Sequence, residues 1–181
     1  MDFRNAQELL ALCEEHQLPI SEIMRQREIT VGESTADSVD SQMKRVLEIM
    51  KDAAFSPIKS PVKSMGGLIG GEAQKLSEHL ASGKGICGDV LEKAITYAMA
   101  TLETNASMGL IVASPTAGSA GIVPGLLLAL QEIYHFSDEE TEKVLFNAGA
   151  IGYLAMRNAT VAGAVGCLLY TSPSPRDRSV S

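Results

Sequence analysis

The sequence contains no tryptophan and few other aromatic residues, with four phenylalanines and four tyrosines among 181 residues. Large aromatic side chains usually fill much of the space between packed elements, so a chain that lacks them must bring its backbone segments together through small residues. Sixteen glycines are available for this. With 45% hydrophobic residues the chain can still bury a core, and we predict one globular domain and not a disordered protein.

Paired cysteines and clustered positive charge are also lacking. Cys13, Cys87 and Cys167 are far apart and form no C-x-x-C pair, which argues against a disulfide framework and a zinc site. The net charge is -7 and the basic residues are scattered, which argues against nucleic acid or an anionic membrane as the main partner. The first segment, MDFRNAQELLALCEEHQ, lacks the apolar core of a signal peptide, so we predict a cytoplasmic protein.

Apolar residues recur at the helical period along most of the chain. Examples are Val39, Met43, Val46 and Met50, and again Val90, Leu91, Ala94, Ile95, Ala98, Met99 and Leu102. Strand-type alternation does not persist in the sequence, so the pattern predicts an all-α fold. Ser137 followed by Glu140 has the spacing of a capping box, in which each side chain accepts from the backbone amide of the other residue, and it predicts a helix start.

Residues 83–88, GKGICG, match the G-x-G-x-x-G pattern of dinucleotide-binding loops. That fingerprint requires a preceding strand and an acidic residue about 20 positions later, whereas a helical pattern precedes these glycines. We therefore interpret Gly83 as the glycine that ends one helix and Asp89 as the N-cap of the next. This interpretation requires no ligand.

Residues 114–125, SPTAGSAGIVPG, combine hydroxyl side chains, bare backbone and a proline just ahead of an apolar helical run. Free amides at such a helix start suit a carboxylate or a phosphate. The alternative is a loop of small residues that packs tightly between helices, and the pattern alone does not decide between the two. Pro124 is tolerated in the first turn of a helix, so we predict that the helix begins between Gly118 and Val123.

The segment NASMGLIVASPTAGSAGIVPG, residues 105–125, resembles the α subunit of bacterial iron–sulfur L-serine dehydratases. Three further segments resemble the same family in the same order, namely FRNAQELLALCEEHQLPISEIM, MGGLIGGEAQKL and RNATVAGAVGC. The resemblance covers residues 1–166. It implies the all-helical catalytic domain of that subunit, here incomplete, and a lyase that converts L-serine to pyruvate and ammonia.

The resemblance also implies a cofactor, a substrate site and a partner. The cofactor is a [4Fe–4S] cluster held by three cysteines, with one iron open to act as a Lewis acid on the serine hydroxyl while a base removes the α-proton. Pyridoxal phosphate is not implied. The residues matched to the site for the serine carboxylate are Thr116, Gly118, Ser119, Ala120 and Gly121, with Asn105 and Asn158 in neighbouring matched stretches. The implied partner is the serine dehydratase β subunit or a fused β domain.

Cys167 stands where the family has its first cluster cysteine, but Leu168 and Leu169 follow it in place of the family's Gln-Ala. The segment CLLYTSPSPRD, which begins at this cysteine, resembles a one-frame translation of a transposase adapter used in sequencing libraries. We therefore expect residues 1–166 to be the N-terminal part of the α-subunit domain and residues 167–181 to be a non-native, unstructured tail. Cys13 and Cys87 do not stand at ligand positions, so we expect the polypeptide as it stands to hold no cluster and to be inactive.

Two other classes of function remain open on composition alone. No charged residue occurs between Glu103 and Glu132, and residues 148–170 contain only Arg157, which would allow a membrane transporter fragment with broken helices. The many Gly, Ser, Thr and Pro residues of the first stretch and the lack of a Lys/Arg asymmetry argue against a membrane. The other alternative is a non-catalytic helical module that binds an anion.

Overall fold

The computed structural model describes residues 1–114 and 119–158, with Asn158 described by its backbone only. Within these ranges the chain forms helices and turns but no strand, which confirms the predicted all-α class. The helices are α1 (Ala6–His16), α2 (Ile20–Val31), α3 (Ala36–Lys59), α4 (Glu72–Ala81), α5 (Asp89–Ala106), α6 (Ile122–Tyr134) and α7 (Asp138–Asn158). The tail predicted at residues 167–181 lies outside the described residues, and the boundary at residue 166 stays a prediction.

A first buried cluster of the described residues joins α1, α2, the start of α3 and α7. Phe3, fully buried ahead of α1, meets the ring of Tyr153 edge-on with 5.4 Å between the ring centroids. The guanidinium of Arg27 lies over Tyr153, 3.9 Å from the ring centroid, and pairs with the carboxylate of Asp2 at 2.9 Å. Apolar, cation–π and ionic contacts together fix the N-terminal residues to α7.

The second cluster joins α3, α5, α6 and α7. Its buried members include Leu47, Met50, Tyr97, Leu128 and Leu145. Met43 and Val46 pack against these residues, so the periodic apolar positions of α3 do face the core.

α5 buries a different face from the one that the pattern of its large apolar residues predicts. Leu91, Ile95 and Leu102 are 52%, 40% and 42% exposed. The side chains that α5 buries are smaller or polar, namely Thr96, Tyr97, Ala100, Thr101 and Glu103.

Among the described residues, no helix combines the length and the apolar content that crossing a bilayer requires.

The helix starts predicted from Pro124 and from the capping box are confirmed at α6 and α7. The hydroxyl oxygen of Ser137 accepts from the N–H of Glu140 at 3.2 Å, and the carboxylate of Glu140 accepts from the N–H of Ser137 at 2.8 Å. This is the predicted capping box. α6 begins at Ile122, inside the predicted interval, and Pro124 is buried in its first turn.

α4 and α5 form an antiparallel pair, since Glu103 near the end of α5 contacts the start of α4. The first glycine loop, residues 65–71, precedes α4, and the second glycine loop, residues 83–88, connects α4 to α5. Gly83 follows the end of α4 with a left-handed φ of 74°, which confirms its role in ending that helix. Asp89 is not the N-cap that we predicted, because it is the first residue of α5 and Gly88 occupies the cap position. The carboxylate that is hydrogen-bonded to the backbone at this helix start is that of Glu92, which accepts from the N–H of Cys87 at 2.8 Å.

Candidate functional site

The start of α6 lies directly on α5, and two glycines make this close approach possible. A Cβ atom added to Gly121 would lie 2.6 Å from the carbonyl oxygen of Ala98, and one added to Gly125 would lie 2.6 Å from that of Ala94. The contacts are one turn apart on each helix and in opposite order, so α5 and α6 run antiparallel. The first turn of α6 is therefore held at a fixed position along α5.

The predicted substrate segment lies at this helix start. Ala120 is fully buried, and the hydroxyl of Ser119 donates to the carbonyl of Ser114 at 3.0 Å. Tight packing thus accounts for the small residues Ala120 and Gly121, while Ser119 lies just ahead of the amino end of α6, where the helix dipole favours an anion. The other two predicted carboxylate residues, Thr116 and Gly118, fall outside the described residues.

Asn105 lies in the last turn of α5, beyond the point where α6 begins. The chain reverses just after it, since Met108 has a left-handed φ of 65° and the N–H of Gly109 donates to the carbonyl of Thr104 at 2.8 Å. The hydroxyl of Thr104 donates in turn to the carbonyl of Ala53 on α3 at 2.9 Å. Ala98 and Asn105 are about 10 Å apart along the helix axis, so Asn105 lies about two turns beyond the point where α6 begins.

The end of α7 approaches the same region from another side. Its residues Ala155 and Met156 line a groove together with Val112, Ser114 and Val123, which flank the predicted substrate segment. The backbone of Asn158, the last residue of α7, is within one turn of this groove. The structure therefore brings the start of α6 and the end of α7 together, on the side of the bundle where the second half of α5 lies.

A buried carboxylate that we did not predict as a site residue anchors a further matched segment there. Glu103 on α5 is 3% exposed, and its carboxylate accepts from the N–H of Gly71 at 3.1 Å and from the N–H of Ala73 at 2.8 Å. These amides begin α4, so the negative charge also lies at the positive end of that helix dipole. The first glycine loop is thereby tied to the end of α5, two residues from Asn105.

The cysteines within the described residues do not form a cluster site. Cys13 lies on α1, where burial raises the pKa of its thiol, and Cys87 is exposed in the second glycine loop. In residues 1–114 and 119–158, no three His, Cys, Asp or Glu side chains are grouped to hold a metal ion. A [4Fe–4S] cluster requires several thiolates at one place, so this part of the chain does not fit its ligand set. Cys167, the predicted ligand, lies outside the described residues.

Relatives of known name match most of the chain. It is 42% identical over 164 residues to the probable L-serine dehydratase, alpha chain, of Bacillus subtilis, and 35% identical over 161 residues to the L-serine dehydratase, alpha chain, of Peptoniphilus asaccharolyticus. It is 33% identical over 175 residues to the L-serine dehydratase of Helicobacter pylori. The alignments cover 91%, 89% and 92% of this chain but 54%, 55% and 37% of the relatives, so the chain spans about half the length of the alpha chains it matches.

The family model for the serine dehydratase alpha chain matches residues 15–171. The matched range contains the end of α5, the start of α6 and the end of α7. This chain belongs to the serine dehydratase alpha chain family.

Proposed function

We propose that this chain supplies the substrate-binding part of an L-serine ammonia-lyase, which converts L-serine to pyruvate and ammonia. The observation that carries the proposal is the 42% identity, over 91% of this chain, to a Bacillus subtilis protein named a probable L-serine dehydratase. Because the chain spans about half of that relative, we propose the activity for a protein that also contains the remaining part.

In this proposal the start of α6 and the segment before it hold the serine carboxylate. The hydroxyl of Thr116 and the backbone amides of residues 118–121 are suitable donors, and the helix dipole adds to their effect. The hydroxyl of Ser119 would join them by exchanging its hydrogen bond to the carbonyl of Ser114 for one to the substrate. The close packing of α6 on α5 would keep these donors in position before the substrate binds, which reduces the entropic cost of reaching the reactive geometry. Asn105 and Asn158 are the further proposed site residues at the ends of α5 and α7.

The reaction requires a proton to leave the α-carbon of serine and the bond between the β-carbon and the hydroxyl oxygen to break, with water as the product that leaves. The aminoacrylate that remains takes a proton on its methylene carbon to give an imine, and water hydrolyses the imine to pyruvate and ammonia. Holding the carboxylate at a fixed helix start orients the α- and β-carbons for these steps. This orientation is the contribution that we propose for the present chain.

The whole enzyme is further proposed to carry a [4Fe–4S] cluster, which the family resemblance implies and which would supply a Lewis-acidic iron. The proposed protein partner is a β subunit or a fused β domain. The relatives support both arrangements, since two of them are named alpha chains and the Helicobacter pylori relative is longer. The two alignments are of similar length, 175 and 164 residues, but they cover 37% of the Helicobacter pylori relative and 54% of the Bacillus subtilis chain.

A chimera tests the proposed function. Residues 1–166 of this chain replace the matching part of the Bacillus subtilis alpha chain, and the product is prepared anaerobically with the β subunit. We expect serine-dependent release of pyruvate and ammonia in equal amounts, and we expect no release from the present chain alone. A chimera that folds with a full complement of iron but releases no pyruvate would contradict the proposed function.

The proposed carboxylate site has its own test in the same chimera. Gly118→Val should raise the KM for serine or abolish turnover without loss of iron, because a branched side chain would obstruct access to the backbone amides. Ala11→Val, at an exposed position on α1, should leave the kinetics unchanged and serves as the matched control. Unaltered kinetics in the Gly118→Val chimera would show that the carboxylate binds elsewhere.

A further inference from the structure

An open apolar groove runs between α3 and α7 and ends beside the start of α6. Its volume is about 670 Å³, and its lining includes Met43, Val112, Val123, Gly149, Gly152 and Met156. No charged side chain of the described residues lines it. In a protein with a net charge of -7, an uncharged surface of this size is a feature typical of an interaction site.

Four of the residues that α7 contributes to this groove are small. Ala148, Gly149, Gly152 and Ala155 share one face of the helix. A Cβ atom added to Gly149 or Gly152 would meet no atom within 4 Å, in contrast to Gly121, whose missing side chain makes room for α5. Such a face would allow another helix to approach to about 8 Å between the helix axes.

We propose that this groove binds a helix from the second half of a full-length serine dehydratase alpha chain. The present chain spans 54% and 55% of two alpha chains in its family, so nearly half of each lies beyond the match. The last described turn of α7, with Ala155 and Met156, forms part of the groove, so the chain that continues in these relatives leaves from this edge. The helix that fits has bulky apolar side chains on one face and its charges toward solvent.

The position of the groove gives the docked helix an effect on the candidate site. Val112, Ser114 and Val123 both line the groove and flank the predicted substrate segment, so a helix seated there closes one side of that segment. It would also cover Ile151 and Met156, which are 65% and 56% exposed. The inference concerns assembly of the domain and does not depend on the reaction proposed above.

The test uses this chain as it stands, mixed with a separately produced polypeptide that contains the part of the Bacillus subtilis alpha chain beyond the match. We expect a one-to-one complex in sedimentation velocity. Oxidation of Met156 by hydrogen peroxide, measured by peptide mass spectrometry, should slow about tenfold in the complex because the sulfur leaves solvent. Ala155→Glu should raise the Kd about tenfold or more, because it places an unpaired carboxylate in an apolar contact.

Ala11→Glu is the matched control, since Ala11 is exposed on α1 and lies outside the groove. Both variants should melt cooperatively as isolated chains, and Ala11→Glu should leave the Kd within about twofold. Equal binding of the two variants would overturn the proposal. The proposal would also be overturned if Met156 were oxidised as fast as in the free chain in two samples, the mixture and a fusion of the two parts that melts cooperatively.

A third result would assign the groove to a different occupant. Protection of Met156 that rises with the concentration of this chain alone, and that Ala155→Glu abolishes, would identify a second copy of the chain and overturn the proposal. These measurements need neither serine nor iron. Failure of the docking proposal and failure of the lyase proposal can therefore be told apart.

Discussion

The two glycine loops flank the same helix, and each is held by a carboxylate from α5, but the two carboxylates act in different surroundings. Glu103 is 3% exposed and accepts from Gly71 and Ala73, which are 32 and 30 residues away in the sequence. Glu92 accepts from the N–H of Cys87, five residues away, at an exposed position. The first loop is thus fixed by a buried long-range contact and the second by a local contact at the surface.

Hydrogen bonds between the first glycine loop and the residues that flank it, Ser64 and Glu72, add to this difference. The N–H of Ser64 donates to the carbonyl of Ile69 at 2.7 Å, and the N–H of Gly67 donates to the carbonyl of Ser64 at 2.8 Å. The N–H of Gly70 donates to the carboxylate of Glu72 at 2.7 Å. The loop that matches a dinucleotide fingerprint is therefore the more weakly held of the two, whereas the other loop is connected to the candidate site.

Removing the buried carboxylate should have the largest effect. Glu103→Ala deletes two charge-assisted hydrogen bonds and leaves two buried backbone N–H groups without their acceptor, so we expect a loss of about 3 kcal/mol in the free energy of unfolding. That is a large share of the stability of an ordinary domain, about 5–15 kcal/mol. Urea unfolding monitored by circular dichroism measures the change.

The corresponding change at the second glycine loop is the control for Glu103→Ala. Glu92→Ala removes an exposed, local contact and should cost about 1 kcal/mol or less. Glu103→Gln, which keeps one acceptor oxygen in a similar shape, should fall between the two. Equal losses for Glu103→Ala and Glu92→Ala would show that burial does not distinguish the two loops.

The start of a helix could be predicted where it depends on residues that are close together in the sequence. The capping box at Ser137 and Glu140 and the start of α6 near Pro124 depend on neighbouring residues, and the structure confirms both. The orientation of α5 could not be predicted in the same way. Its exposed Leu91 and Ile95 are as apolar as any core residue, and which face is buried depends on contacts with α3, α4 and α6.

The candidate site could be predicted only as a set of segments. The resemblance over residues 105–125 identified the substrate segment, but the contact between Gly121 and Ala98 requires the packed helices to be known. In the sequence Glu103 is the last charged residue before a long uncharged stretch. Its sequence neighbours give no sign that its carboxylate accepts a hydrogen bond from the N–H of Gly71. Long-range acceptors of this kind are determined by the tertiary structure, since the partner amides are not close in sequence.

Substitution of individual glycines should have the next largest effect. Gly70 has a φ of +141°, and an added Cβ would lie 2.5 Å from the carbonyl oxygen of Val62 and 2.8 Å from the Cα of Lys63. Both are backbone atoms, so Gly70→Ala should cost about 2 kcal/mol in unfolding free energy. Gly83→Ala should cost about 1 kcal/mol, because its φ is +74° but the space around it is open. A larger loss at Gly83 would contradict the view that the first loop is the constrained one.

The smallest expected effect is a pH dependence that belongs to the first glycine loop. The N–H of Gly70 donates to the carboxylate of Glu72, and this bond lowers the pKa of that carboxyl below its ordinary value. A carboxyl whose pKa is lowered by folding stabilises the protein above its unfolded-state pKa, about 4.3, and the contribution is lost as the pH falls toward the folded value. Glu72→Gln keeps an acceptor for Gly70 but removes this titration.

Urea unfolding of both proteins across the acid range tests this prediction about Glu72. Asp40, Asp138 and Glu140 also have lowered pKa values, because each accepts hydrogen bonds in the folded state, and they give both proteins a common loss of stability in acid. The difference between the two stability curves therefore isolates the carboxyl of Glu72. It should be constant near neutral pH and shrink below about pH 4.3, because only the unaltered chain loses this contribution. A difference that stays constant through the acid range would mean that the charge on Glu72 does not support the loop, and that Glu103 is the carboxylate on which the loop depends.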